Sequence, residues 1–403
     1  MSGLDFAAAL TASLPDDADR AVLAGRVFRP EVAGPSVVAV RPEGVVDVSA
    51  AFPTMRDLCE TDDPAAALAA ASGENLGPFE ALLANTPPER RDRTRPWLLA
   101  PIDLQAIKAT GVTFVASLLE RVIEERARGN PSEAAAIRAE LQQAVGRDLA
   151  TIRPGSQEAR RAKEVLIANG AWSQYLEVGI GPDAELFTKG PPMSAVGTGM
   201  DAGVHPRSTW NNPEPEAVLV VASDGRIVGA TLGNDVNLRD VEGRSALLLG
   251  RAKDNNASCA IGPLVRLFGA GFDLDSVRRM DIVMSITGED GFTLEDRSSI
   301  ARISRDPADI VGQMISRTHQ YPDGVVLFLG TMFAPVKDRD APDQGFTHKD
   351  GDIVAIGSAE LGRLVNRVRA CDACEPWTFG AGALMRNLAR RGLLTRDGPP
   401  GNG

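Results

Sequence analysis

The stretch from Asn211 to Asp240, NNPEPEAVLVVASDGRIVGATLGNDVNLRD, limits the possible folds of this 403-residue chain more than any other part of it. Two apolar runs flank Ser-Asp-Gly-Arg, a two-residue hairpin signature, so the pairing can be written residue by residue. With Asp224-Gly225 as the turn, Ser223 faces Arg226 and Ala222 faces Ile227; further out, Glu216 faces Gly233 and Glu214 faces Asp235. Strand side chains alternate between faces. Glu214, Glu216 and Asp235 are therefore expected on one face at the open end of the hairpin.

Cross-strand neighbours lie within roughly 5 to 8 Å, and three carboxylates so close repel strongly unless a cation neutralises them. An all-oxygen ligand set selects a hard ion such as Mg²⁺ or Mn²⁺, and three protein ligands leave coordination positions open for water or substrate. Gly233, opposite Glu216, is expected to leave room for the ion. The alternative, a solvated polar hairpin end, is weaker because the register, and not mere proximity, brings in the third carboxylate. Arg239 and Asp240 next to it are expected to form an ion pair bracing the loop.

Around this hairpin the chain reads as α+β. From about residue 21, AVLAGRVF, PSVVAV and VVDVSA are short strands broken by turn residues, which predicts a small β-rich N-terminal domain over 1–96. The polar stretch Thr86 to Arg95, TPPERRDRTR, reads as its exit linker, and 97–403 as a second, catalytic domain. A helical insertion is expected at about 115–170. It opens with SLLERVIEERAR, where Leu118, Leu119, Val122 and Ile123 recur at helix spacing. Asn130, Pro131 and Glu133 predict the start of a second helix, and Ser156 and Asn169-Gly170 bracket a third. From 214 to about 365, VLVVA, IVGATL, DIVMSITG, GVVLFLG and DIVAIG return to strand texture. The closing ALMRNLARRGLL is amphipathic.

A formal charge of −11 leaves no Lys/Arg excess to neutralise phosphates, which argues against nucleic-acid and anionic-membrane partners. No apolar stretch approaches the ~18 residues of a membrane span, and the N-terminus lacks a secretory pattern, so a cytoplasmic protein is expected. Four cysteines are too few for a disulfide framework, and Cys371-x-x-Cys374, with no second pair or histidine beside it, reads as structural.

GNDVNLRD, preceded by PEPE and followed by AKDNNASCAIGP, resembles the signature of the fumarylacetoacetate hydrolase family, with similarity from about Pro101 to Gly357. The resemblance implies a mixed β-roll around a catalytic Mg²⁺ or Mn²⁺, one ion per site, in a homodimer or homotetramer. The family's Glu-x-Glu pair and downstream Asp map onto Glu214, Glu216 and Asp235, the residues reached independently from the register. ELFTKGPP (Glu185 to Pro192), WNNPEPE, Lys253 and LGTMFAP near Thr331 resemble the family's sugar-acid dehydratase branch. On that resemblance Glu185 and Lys253 are the acid/base groups, and Lys189, Gly330 and Thr331 contact the substrate. The implied reaction removes water from a small 2-keto acid, a 2-keto-3-deoxypentonate, to give 2,5-dioxopentanoate. The alternative on the same fold is an acylpyruvate hydrolase or oxaloacetate decarboxylase. Hydrolase members activate water with a His-Glu pair; here the three histidines, His205, His319 and His348, all fall outside the N-terminal and early helical part where that pair belongs.

Overall fold

The computed structural model describes residues 6–394 apart from 12, 129, 131, 135, 138–151, 169–171 and 343. The fold is α+β. Among the described residues the hairpin lies inside an 11-stranded mixed sheet. Pro215–Val221 pairs antiparallel with Ile227–Asp235 and with Val325–Phe328, while Ile227–Asp235 also pairs with Cys259–Leu267. Ala106–Gly111 adds parallel to Val325–Phe328, and Glu185–Gly190 closes that edge. A second sheet of five strands contains Asp281–Thr287, Ile353–Ser358 and Gly362–Ala370.

The apolar runs of the hairpin are nearly continuous because both faces are covered, which is the pattern of a central strand. Ala217, Leu219 and Val221 share one core with Met284, Ile286, Val354 and Ile356 of the five-stranded sheet. Val218, Val220 and Phe328 share another with Val37, Ala39, Met55 and Leu58 of the N-terminal segment. Glu214 and Glu216 continue this second face, at the end where apolar packing gives way to charge.

The N-terminal strands are hydrogen-bonded into the same sheet. Leu23–Arg29 pairs with Gly34–Arg41, with Trp97–Leu99 and, through Leu23 and Ala24, with Arg266 and Val265. A boundary at residue 96, proposed from the sequence, therefore crosses strands of one sheet. The stretch 86–95 is fastened along its length: Asn85 Nδ2 donates to the carbonyls of Asp92, Arg95 and Pro96, and Arg91 pairs with Glu375 at 2.7 Å.

Of the helical insertion, Val115–Arg126 and Gln157–Ala168 are described, followed by Gln174–Ile180. Ser156 caps the second of these, its hydroxyl accepting from the Ala159 N–H at 3.1 Å. The helix expected from Asn130 and the Asn169-Gly170 stop lie largely or wholly outside the described residues. No described helix is long and apolar enough to cross a membrane.

Candidate metal centre and active site

At the open end of the hairpin the pairing is the one written from the sequence: Glu216 lies opposite Gly233, and Asp235 donates its N–H to the Glu214 carbonyl at 3.0 Å. At the turn it differs by one residue. Val221 pairs with Ile227 where the two-residue turn requires Val228, and a bulge between Val220 and Val221 restores the expected pairing. The turn is longer because Gly225, at φ +90°, closes back onto the Ala222 carbonyl while the Ala222 N–H donates to the Arg226 carbonyl. The bulge absorbs the extra residue, so the alternation downstream is unchanged.

Ligand oxygens of Glu214, Glu216 and Asp235 all lie within 4.8 Å of one another, and each residue is about 1% exposed. At such separations each charged pair repels by about 3 to 4 kcal/mol at an effective dielectric of 20. The protein compensates two of the three. Glu214 accepts from Arg121 on one oxygen and from Lys253 at 2.5 Å on the other; Asp235 accepts from Lys253 at 2.9 Å and has Lys189 Nζ 2.9 Å from its second oxygen. Lys189 makes an ion pair there without hydrogen-bond alignment, so Asp235 Oδ1 stays unsatisfied. Among the described residues Glu216 receives only the Gly330 N–H at 2.7 Å and the Thr331 hydroxyl at 3.2 Å.

The protonation equilibria follow. Burial raises the Glu214 carboxyl, but the charges of Arg121 and Lys253 outweigh it and hold the group at about 2. For Glu216, burial and then the charges of Asp235 and Glu214 act together and lift it well above the carboxylate range. Burial lowers the Lys253 ammonium, yet Asp235, Glu214 and Glu242 more than reverse this, so it is held charged.

The Val115–Arg126 helix closes over this group. Arg121 pairs with Glu124 at 2.7 Å and Glu242 at 3.0 Å as well as with Glu214, while Arg239 pairs with Glu124 at 2.7 Å and stacks over Trp210. Among the described residues Glu216 has no ion-pair partner, and with the unsatisfied oxygen of Asp235 this makes the triad a fitting metal site.

The residues expected from the sequence fall into two groups. Glu185, half-buried at the head of its strand, and Lys253 wall the same small cavity as Arg121, Glu214, Asp235, Glu242 and Thr331. Burial raises the Glu185 carboxyl against the pull of Arg121 and Lys253. Lys189 and Gly330 do not line the cavity. The Lys189 ammonium is spent on the carbonyls of Val236 and Lys253 and on Asp235. Gly330, at φ +97°, has no room for a Cβ, which would lie 2.0 Å from the Thr113 hydroxyl, and its N–H is spent on Glu216.

Two local expectations are corrected. Arg239 and Asp240 do not pair with each other, because Arg239 turns inward to Glu124 while Asp240 accepts from Ser208 and Thr209. A Cβ on Gly233 would strike the Phe328 ring at 2.2 Å and Val218 at 2.6 Å, so the missing side chain makes room for core packing, not for an ion. The sequence reading passed over Arg121, Glu124 and Glu242. A signal for the first two existed: Ser117, Arg121 and Glu124 fall on one helical stripe. Cys371 and Cys374 are free, and His348 is a buried, hydrogen-bonded partner of Asp352.

Residues 183–369 match the sequence profile of the fumarylacetoacetate (FAA) hydrolase C-terminal domain. Over that stretch, a little under half of the chain, it is similar to that family. Among curated proteins it is 31% identical over 185 residues to the 2-dehydro-3-deoxy-D-arabinonate dehydratase of Saccharolobus solfataricus, covering 46% of this chain and 58% of that protein. It is also 31% identical over 194 residues to the probable 2-keto-3-deoxyxylonate dehydratase of Haloferax volcanii, covering 48% and 63%. The chain thus spans about three fifths of the length of the curated relatives it matches. Its fold is shared with the apo form of 2-keto-3-deoxy-D-arabinonate dehydratase, at a TM-score of 0.58 and 20% identity over 86% of this chain and 99% of that one. The form of that enzyme complexed with magnesium and 2,5-dioxopentanoate gives a TM-score of 0.57 at 20% identity over the same shares. Both likenesses establish the fold alone.

Proposed function

We propose that this chain is a divalent-metal-dependent hydro-lyase that removes water from a 2-keto-3-deoxypentonate to give 2,5-dioxopentanoate. The observation that carries the reading is the buried Glu214–Glu216–Asp235 triad, of which Glu214 and Asp235 wall a small cavity together with Lys253 and Glu185. The names of both curated relatives and the magnesium and 2,5-dioxopentanoate held by the structural neighbour support the same chemistry.

The three carboxylates would hold Mg²⁺ or Mn²⁺, both hard ions suited to oxygen donors. A divalent cation so held would supply Lewis-acid polarisation of the keto group of a 2-keto acid, which acidifies the C3 hydrogens. The chain's own residues do the rest. Gly330 and Thr331 hold Glu216 in place, and Lys189 holds Asp235 from behind. Glu185 and Lys253 carry the acid/base work at C3: burial makes the Glu185 carboxylate the stronger base, and the Lys253 ammonium stays charged beside it. Burial of the whole group excludes bulk water, which suits elimination better than hydrolysis. At about 10 Å³ the cavity is the size of one water, so a five-carbon acid enters only as wall side chains move.

The decisive assay offers purified protein with Mg²⁺ or Mn²⁺ three substrates: a 2-keto-3-deoxypentonate, an acylpyruvate and oxaloacetate. Metal-dependent appearance of 2,5-dioxopentanoate from the first alone is expected. Turnover of either other compound with none of the first would replace this reading by hydrolysis or decarboxylation.

A further inference from the structure

Glu242 is a buried carboxyl in the wall of the catalytic cavity that neither the family signature nor the acid/base pair accounts for. It follows Asp235 by seven residues, on the short Arg239–Glu242 helix. It is 3% exposed, and its Oε2 lies 3.0 Å from Arg121 in an ion pair without hydrogen-bond alignment. Among the described residues it touches one cation, Arg121, which is already shared with Glu124 at 2.7 Å and with Glu214. Glu124 has Arg239 besides, and Glu214 has Lys253. Glu242 therefore has the weakest claim on a counter-charge in the cluster, and a buried carboxyl so placed keeps a proton.

We propose that Glu242 is the catalytic acid that protonates the departing C4 hydroxyl. The inference rests on the dehydratase reading above. As the base takes the C3 hydrogen, the C3–H electron pair becomes the C3–C4 π bond. The C4–O bond breaks with its pair, and the Glu242 proton joins the oxygen to leave as water. The product of this stage, 5-hydroxy-2-oxopent-3-enoate, still carries its C5 hydrogens, and Glu242 is now a carboxylate. Glu242 takes a C5 hydrogen while the base returns its proton to C3, which yields the enol of 2,5-dioxopentanoate. Both groups are then reset. Burial supports this assignment by pushing the Glu242 carboxyl up to about 7, against the pull of Arg121 and Lys253 and with the push of Glu214 and Glu124; Tyr175 also faces it.

The test compares the natural substrate with its 4-deoxy-4-fluoro analogue, whose leaving fluoride needs no proton. Glu242→Gln should slow dehydration by about 10²-fold or more, in line with the contribution of a general acid. Fluoride release should change by less than about 3-fold, because the acid contributes to leaving-group departure alone. Mg²⁺ affinity by calorimetry should stay within about 2-fold, since the variant removes no triad oxygen. In the wild-type protein, dehydration should fall as pH rises through the Glu242 titration, and fluoride release should lack that limb. Wild-type-like dehydration by Glu242→Gln, or equal loss with both substrates, overturns the proposal. If the variant does not fold, identical alkaline limbs for the two substrates in the wild-type protein overturn it instead. A wild-type protein inactive on the 2-keto-3-deoxypentonate, but active on an acylpyruvate or oxaloacetate, removes the functional reading rather than the role of Glu242 within it.

Discussion

Glu216 and Asp352 are equally inaccessible carboxylates, 1% and 0% exposed, with opposite surroundings. Asp352 accepts from both terminal nitrogens of Arg339 at 2.6 and 2.7 Å, from the His348 ring at 3.1 Å and from the Lys349 N–H at 3.0 Å. Burial alone would raise it, but these partners hold its carboxyl below the ordinary value. Glu216 has two neutral donors and two like charges beside it, and is raised. One cluster is complete within the chain and braces the loop running from Phe333 toward Ile353. The other is left incomplete by the described residues. Burial of charge thus does not by itself mark a functional site; an uncompensated balance does.

Triad substitutions should produce the largest effect. Glu214→Ala, Glu216→Ala and Asp235→Ala should each abolish metal-dependent turnover; Glu216→Ala should leave the fold largely intact because it relieves carboxylate repulsion, whereas Glu214→Ala and Asp235→Ala also strand buried cations and should destabilise it. Calorimetric metal titration checks this, and unchanged affinity in two of the three would dissolve the contrast with Asp352. Next in size, Asp352→Ala should destabilise the protein by about 3 to 5 kcal/mol in denaturant unfolding, since it strands Arg339 in the interior. Metal affinity of the folded protein should be unaffected.

The smallest effect is on pH dependence, where the two clusters should differ in sign. Glu216, raised in the folded state, makes the metal-free protein lose stability as pH climbs above the unfolded carboxylate value of about 4.3 toward its folded value. Asp352, lowered in the folded state, contributes stability that is present above about 3.9 and lost as pH falls through its folded value. Thermal melts across pH should therefore show a downward slope above the carboxylate range that Glu216→Gln shrinks and added Mg²⁺ suppresses. A slope that neither treatment alters would mean that Glu216 is compensated in the folded protein.

Strand alternation and the Asp-Gly turn determined, from sequence alone, that Glu214, Glu216 and Asp235 share a face. That inference is local and depends on a period of two, so an extra residue in the turn was harmless once a bulge removed it. The strands of 214–365 were legible for the same reason, since apolar runs between Gly and Asp turns report a covered sheet. What the triad meets was not legible. Arg121 and Glu124 arrive from a helix some 90 residues upstream in the chain, where a charge between leucines reads as solvent-facing until another element covers it. Arg239 could be expected to pair with its neighbour Asp240 until tertiary packing offered Glu124 and the Trp210 ring instead. The N-terminal strands likewise read as a separate unit because local pattern carries no record of which distant edge a strand will join, here that of Cys259–Leu267. Periodicity specifies which way a side chain points; only the assembled fold decides what charge is waiting there.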